Sequence, residues 1–237
     1  MSEQNIISKY VPNFITLLSL SSGFTSIRFS INSEWELAIY LILLATIFDF
    51  FDGWFARKLK SGSNFGAELD SLSDFVSFGV APSFLIYMWS TNSLGSLGWG
   101  ATLFFVICSS LRLARFTADI YITNKPIDNN EFFVGLPSPA AAGLILLPLF
   151  IYFEFNLNFL KNGYLNLLIT VIIGFMMISR IPTISLKKIN ISQKYKTWIF
   201  LIFVIVSVAL ISKIWLTLVI VSGFYVLSIA YTIFKSR

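Results

Sequence analysis

Apolar stretches about as long as a bilayer is thick, separated by short polar or basic breaks, run along almost the whole chain. A helix needs about 20 predominantly apolar residues to cross a hydrocarbon core. The pattern predicts eight such spans, at about 13–31, 37–59, 66–89, 98–118, 139–154, 163–181, 197–212 and 214–234. Pro12 suits the first turn of the first helix, where its missing N–H costs nothing. Glu34-Trp35-Glu36 marks an interfacial loop, and Trp89 to Trp99 an uncharged Gly/Ser loop. Pro148 predicts a kink in the fifth span. Little more than Lys213 separates the last two spans, so they form a tight hairpin. The expected fold is all-α: a polytopic membrane helix bundle forming one domain over residues 1–237, without internal repeats.

Composition reinforces this pattern. The 237 residues are 56% hydrophobic and only 12% charged, which leaves no room for a sizeable soluble domain. With eight spans both termini lie on one side. Placing them in the cytoplasm puts 14 of the 17 Lys and Arg residues inside, leaving Arg28, Lys161 and Lys213 outside. That is a strong positive-inside bias. It also accounts for the net charge of +5 as topology, with no nucleic-acid partner implied. Residues 1–11 have no basic region or small-residue cleavage site, so no cleaved signal peptide is expected. Cys108 cannot form an internal disulfide and reads as a packing residue. Histidine is absent, which excludes imidazole bases and His metal ligands.

Against that apolar background, four aspartates stand out. Asp49-Phe50-Phe51-Asp52-Gly53 closes the second span, and Gly66-Ala67-Glu68-Leu69-Asp70 with Asp74 opens the third. Each pair is spaced to share one helix face. The intervening Ser61-Gly62-Ser63-Asn64 is a turn signal, so the two helices form a hairpin. At ~1.5 Å per residue, Asp52 and Asp70 lie ~14 and ~9 Å from the turn, and Asp49 and Asp74 ~18 and ~15 Å. All four can therefore meet at one depth, near the cytoplasmic ends of their helices. Clustered intramembrane carboxylates repel one another unless a cation sits among them, and they suit a hard ion such as Mg²⁺ or Mn²⁺. The alternatives are a water-filled crevice, or pairing with Arg57 and Arg112. The first span is polar on one side, with Ser19, Ser21, Ser22, Gly23, Thr25 and Ser26. Small hydroxyl residues of this kind let helices approach closely, while Asn13 and Thr16 could also contact a polar ligand.

The pattern Asp-x2-Asp-Gly-x2-Ala-Arg-x8-Gly-x3-Asp-x3-Asp, met at Asp49, Asp52, Gly53, Ala56, Arg57, Gly66, Asp70 and Asp74, resembles the signature of the CDP-alcohol phosphotransferase family. Further segments look like its phosphatidylserine synthase branch: Pro12-Asn13-x2-Thr16, Ser77-Phe78-Gly79-Val80-Ala81-Pro82, Arg112-Leu113-Ala114-Arg115-Phe116, Gly135-Leu136-Pro137-Ser138-Pro139 and Met177-Ile178-Ser179-Arg180. Thr117 departs from that branch, which usually has Asn there. The resemblance implies a six-helix catalytic core, here 13–181, with 197–234 as an added two-helix unit. It also implies a homodimer and a cytoplasm-facing metal site in the cell membrane. The implied reaction is attack of the L-serine hydroxyl on the β-phosphorus of CDP-diacylglycerol, giving phosphatidylserine and CMP.

On this resemblance Asp49, Asp52, Asp70 and Asp74 are expected to bind Mg²⁺ or Mn²⁺, with Asp74 also the general base. Asn13, Thr16, Gly53, Ala56, Arg57 and Gly66 are expected around the CDP-lipid. Serine carries a carboxylate, for which Arg112, Arg115 and Arg180 are candidate partners. Two alternatives remain. One is another acceptor alcohol within the same family. The other is an ion or solute transporter with an acidic intramembrane site, which often shows inverted repeats that are not seen here.

Overall fold

The computed structural model describes residues 3–59, 63–123, 132–179, 182–184 and 193–235. Helix α1 (Glu3–Ile31) packs antiparallel along α2 (Trp35–Lys58). Next comes an almost continuous helix made of α3 (Asn64–Asp74), a π-helical turn (Phe75–Val80) and α4 (Ala81–Trp89). Helix α5 (Ser96–Thr123) leads to a short strand, β1 (Phe132–Val134). Helices α6 (Ser138–Ile145) and α7 (Leu147–Phe155) form one bent segment, followed by α8 (Gly163–Ile178) and strand β2 (Pro182–Ile184). Helices α9 (Gln193–Ser212) and α10 (Ile214–Lys235) meet at Lys213.

Among the described residues, five helices are long and apolar enough to cross a membrane, and the bent pair makes up to six. Helix α8 is a shorter apolar helix. The chain is therefore a helical membrane protein. Element positions follow the hydropathy pattern closely, with three differences. First, α1 begins at Glu3, so Pro12 lies inside the helix and does not open it. An internal proline removes one backbone hydrogen bond, which a long, well-packed helix tolerates, and here the Thr16 hydroxyl also bonds the Pro12 carbonyl at 3.0 Å. Second, the fifth span bends by 41° at Leu146, just before Pro148. Pro148 sits in the first turn of α7, where the absent N–H breaks nothing. Third, β1 and β2 pair antiparallel, Phe133 opposite Thr183, in a ribbon with no counterpart in the sequence reading.

Small residues draw the helices together. Ser19 Oγ donates to the Ala45 carbonyl at 2.9 Å and Ser26 Oγ to that of Ala38 at 2.8 Å, both from α1 to α2. Ser73 Oγ and Ser77 Oγ reach back to the carbonyls of Thr16 and Ser19 at 3.2 and 3.1 Å. Ser21, Ser22 and Thr25 instead bond carbonyls of their own helix. Gly23 lies so close to the π-helical turn that a Cβ there would sit 2.6 Å from Ser77 Cα. The close-packing role expected of the α1 hydroxyl residues thus belongs to Ser19 and Ser26. The apolar core below the polar site includes Ala38, Ile39, Leu85, Phe105, Leu149 and Phe150. Cys108 is fully buried, as a packing residue should be.

Candidate active site

The turn between α2 and α3 is closed by Ser63, whose hydroxyl caps α3 by accepting from the Gly66 N–H at 3.0 Å. From it the two helices rise antiparallel and bring the aspartates together. Carboxylate oxygens of Asp49, Asp70 and Asp74 lie within 4.8 Å of one another. Asp49 and Asp74 act directly on one another within this group, and carboxylates so close are stabilised by a proton or a cation between them. Asp52 is one helical step closer to the turn, and its charge acts on Asp70. Its own carboxylate accepts from Thr16 Oγ1 at 2.6 Å, a buried bond that ties α1 to the hairpin. The π-helical turn begins immediately after Asp74, a kind of irregularity often found at functional positions.

Beside the aspartates opens a cleft of about 180 Å³. Its wall includes Asn13, Thr16, Gly53, Ala56 and Gly66, together with Asp52 and Asp70. Five of the six residues expected around a nucleotide therefore line one cavity with two of the acids. Arg57 is not in that wall, but its guanidinium lies against Gly53 and its charge acts on Asp52. A Cβ on Gly66 would come within 3.1 Å of Asn13 Oδ1, so the small residue keeps this end of the cleft open. Ser63 and Ala67 also line the cleft. The sequence reading had Ser63 only as a turn residue, and the cap it makes is visible in the Ser-Asn-Phe-Gly order.

The candidate carboxylate partners separate. Arg112 points inward, close enough to Asp74 for their charges to interact. Its Nη1 donates to Ser138 Oγ at 2.7 Å. Arg115 is exposed and donates to the Ile178 carbonyl at 3.3 Å. Arg180 lies outside the described residues. Ser138 is positioned by Gly135, which adopts φ of 82° and leaves only 2.7 Å between a hypothetical Cβ and the Met177 carbonyl oxygen. Both demands require glycine. Thr117, the departure from the branch pattern, is hydrogen-bonded to Ser71 at 3.2 Å.

The donor set tests the metal expectation. Three carboxylates offer only hard, anionic oxygens at mutual distances one ion can span, which fits Mg²⁺ or Mn²⁺ and disfavours soft metals. Comparison with known proteins agrees with this arrangement. The model of the CDP-alcohol phosphatidyltransferase family matches residues 9–178. The chain belongs to that family. Among CDP-alcohol phosphatidyltransferase relatives, the CDP-diacylglycerol–serine O-phosphatidyltransferase of Mycobacterium leprae is 32% identical over 238 residues, covering 100% of this chain and 78% of the relative. That of Methanocaldococcus jannaschii is 36% identical over 201 residues, 84% of this chain and 82% of the relative. The archaetidylserine synthase of Methanothermobacter thermautotrophicus is 39% identical over 140 residues, 56% and 54% of the two chains. The family match ends at Ile178, at the C-terminus of α8, so α9 and α10 lie beyond it.

Proposed function

We propose that this chain transfers the phosphatidyl group of CDP-diacylglycerol to the hydroxyl of L-serine, giving phosphatidylserine and CMP. The observation that carries the reading is the three-carboxylate cluster opening beside a cleft lined by the other family-signature residues. Similarity along most of the chain to relatives named for serine supports the choice of acceptor. The serine hydroxyl oxygen forms a bond to the β-phosphorus, the bond from that phosphorus to the bridging oxygen breaks, and CMP leaves with the electron pair. Asp74 takes the hydroxyl proton, a role no histidine can fill in this chain.

Phosphoryl transfer needs mainly positioning and neutralisation of charge. Asp49, Asp52, Asp70 and Asp74 would hold the cation. Mg²⁺ or Mn²⁺ bound there would neutralise the diphosphate and the charge developing on the departing CMP. Asn13, Thr16, Gly53, Ala56 and Gly66 line the nucleotide seat, and Arg57 pairs with the diphosphate. Arg112 meets the serine carboxylate, where its planar fork supplies geometry that lysine lacks. The site faces the cytoplasm, giving water-soluble serine direct entry, and both termini lie on that side. The catalytic core is 13–181 and the protein works as a homodimer in the cell membrane. A screen of radiolabelled acceptor alcohols against the detergent-purified protein tests the reading. Serine should label the lipid product; labelling by glycerol 3-phosphate, inositol phosphate or choline in its place would move the chain to another member of the family.

A further inference from the structure

Helix α10 lies beyond the residues that the family model matches, though within the stretch aligned with the Mycobacterium leprae relative, and it is firmly docked. Trp215, near its start, stacks on Tyr40 of α2 and Phe153 of α7 at centroid distances of 5.6 and 4.7 Å. Along α10 the polarity is that of a membrane helix packed on a bundle, apolar outward and hydroxyl-bearing inward. Ile220, Val221, Phe224 and Leu227 are exposed, whereas Thr217, Ser222 and Thr232 are buried. The Thr217 and Thr232 hydroxyls are satisfied by carbonyls of α10 itself, at 2.8 and 2.7 Å. Tyr225 differs: its hydroxyl is buried and has no hydrogen-bond partner.

The group that faces it is Arg112, close enough for a charge interaction with Tyr225. Arg112 spends Nη1 on Ser138, but its Nε is also buried without a partner. Two buried groups without a partner, one phenolic and one cationic, thus lie within range of each other's charge, and Arg112 in turn acts on Asp74 of the acid cluster. Buried donors normally find acceptors, and leaving one unmet costs stability. Arg112 Nε–H can only donate, and the Tyr225 O–H is free to donate, so one acceptor lying between them would satisfy both, and a guanidinium favours an acceptor that carries negative charge.

We propose that Tyr225 and Arg112 together form the seat for the carboxylate of the acceptor alcohol, so that α10 supplies an acceptor-binding residue to the active site. The carboxylate accepts from Arg112 Nε–H and from the Tyr225 O–H, with Ser138 holding the other end of the guanidinium. The assignment rests on serine being the acceptor. It makes Tyr225 a determinant of selectivity for an amino-acid alcohol.

The test uses Tyr225→Phe in the full-length protein, purified in detergent and assayed with CDP-diacylglycerol, with serinol as a matched acceptor lacking the carboxylate. Loss of one hydrogen bond to a charged group corresponds to about ten- to a hundredfold in affinity. The apparent KM for L-serine should rise by about that factor, KM for CDP-diacylglycerol should stay put, and the preference for serine over serinol should fall in parallel. The serine-free variant should unfold thermally no lower than wild type, because the hydroxyl removed has no partner in the protein. An unchanged serine KM, an equal rise in both KM values, or a less stable or unfolded variant would each overturn the assignment. The wild-type control separates the two claims: if wild type makes no phosphatidylserine, it is the serine reading that fails; if it does, the variant judges Tyr225 alone.

Discussion

Replacing Thr16 by valine removes one proton and tests how the first helix serves the acid cluster. Thr16 is 4% exposed, and its hydroxyl donates to Asp52 at 2.6 Å, with the Pro12 carbonyl a longer alternative at 3.0 Å. Valine preserves the branched shape but puts a methyl group against a carboxylate oxygen, so the swap is not conservative in polarity. A hydrogen bond to a charged group contributes about 1.5–3 kcal/mol, or about ten- to a hundredfold in an equilibrium or a rate. Asp52 and Thr16 both line the cleft, so the loss should fall on the CDP-lipid. We expect kcat/KM for CDP-diacylglycerol, measured by CMP release, to drop by that factor. Thr16→Ser keeps the donor and should retain most of the activity. Wild-type kcat/KM in Thr16→Val, or equal impairment in Thr16→Ser, would refute the idea that this bond positions the acid.

Asp74→Asn should abolish transfer while partly preserving CDP-lipid binding; near-normal turnover would remove Asp74 as the base. Arg112→Lys should raise the serine KM about ten- to a hundredfold, whereas Arg115→Lys, whose guanidinium is occupied by the Ile178 carbonyl, should have the smaller effect. Gly23→Ala should lower thermal stability by about 1–3 kcal/mol, because its Cβ would meet backbone at Ser77 and not a side chain that can turn away; an unshifted melting curve would count against the tight α1 contact.

Where a feature depends on local periodicity, the sequence revealed it. Apolar run lengths located each helix, and the spacing of Asp49, Asp52, Asp70 and Asp74 across a short turn foretold that they would gather. The finer division, with Asp52 held by Thr16 while the other three acids form the closest group, was hidden because Thr16 and Asp52 are 36 residues apart. The same reason kept Ser138 and Tyr225 from view. Ser138 bonds Arg112, and Tyr225 comes within range of its charge, only through helix packing, and neither has a local pattern that marks it. The β1–β2 ribbon joins segments about 50 residues apart and is too short to announce itself by alternation. Arg112 and Arg115 look equivalent as a sequence pair, yet residues three apart are offset by ~60° around the helix and ~4.5 Å along it, and here one reaches toward Asp74 and the other to the end of α8.

The central claim is a metal-assisted transfer from a CDP-linked lipid to serine. It is tested most directly by following CMP and phosphatidylserine together, in purified protein given CDP-diacylglycerol, with and without L-serine and with and without EDTA. The account predicts equal amounts of the two products, formed only when serine is present, lost in EDTA and restored by Mg²⁺ or Mn²⁺. Full activity in chelator, or CMP release that does not depend on serine, would contradict it.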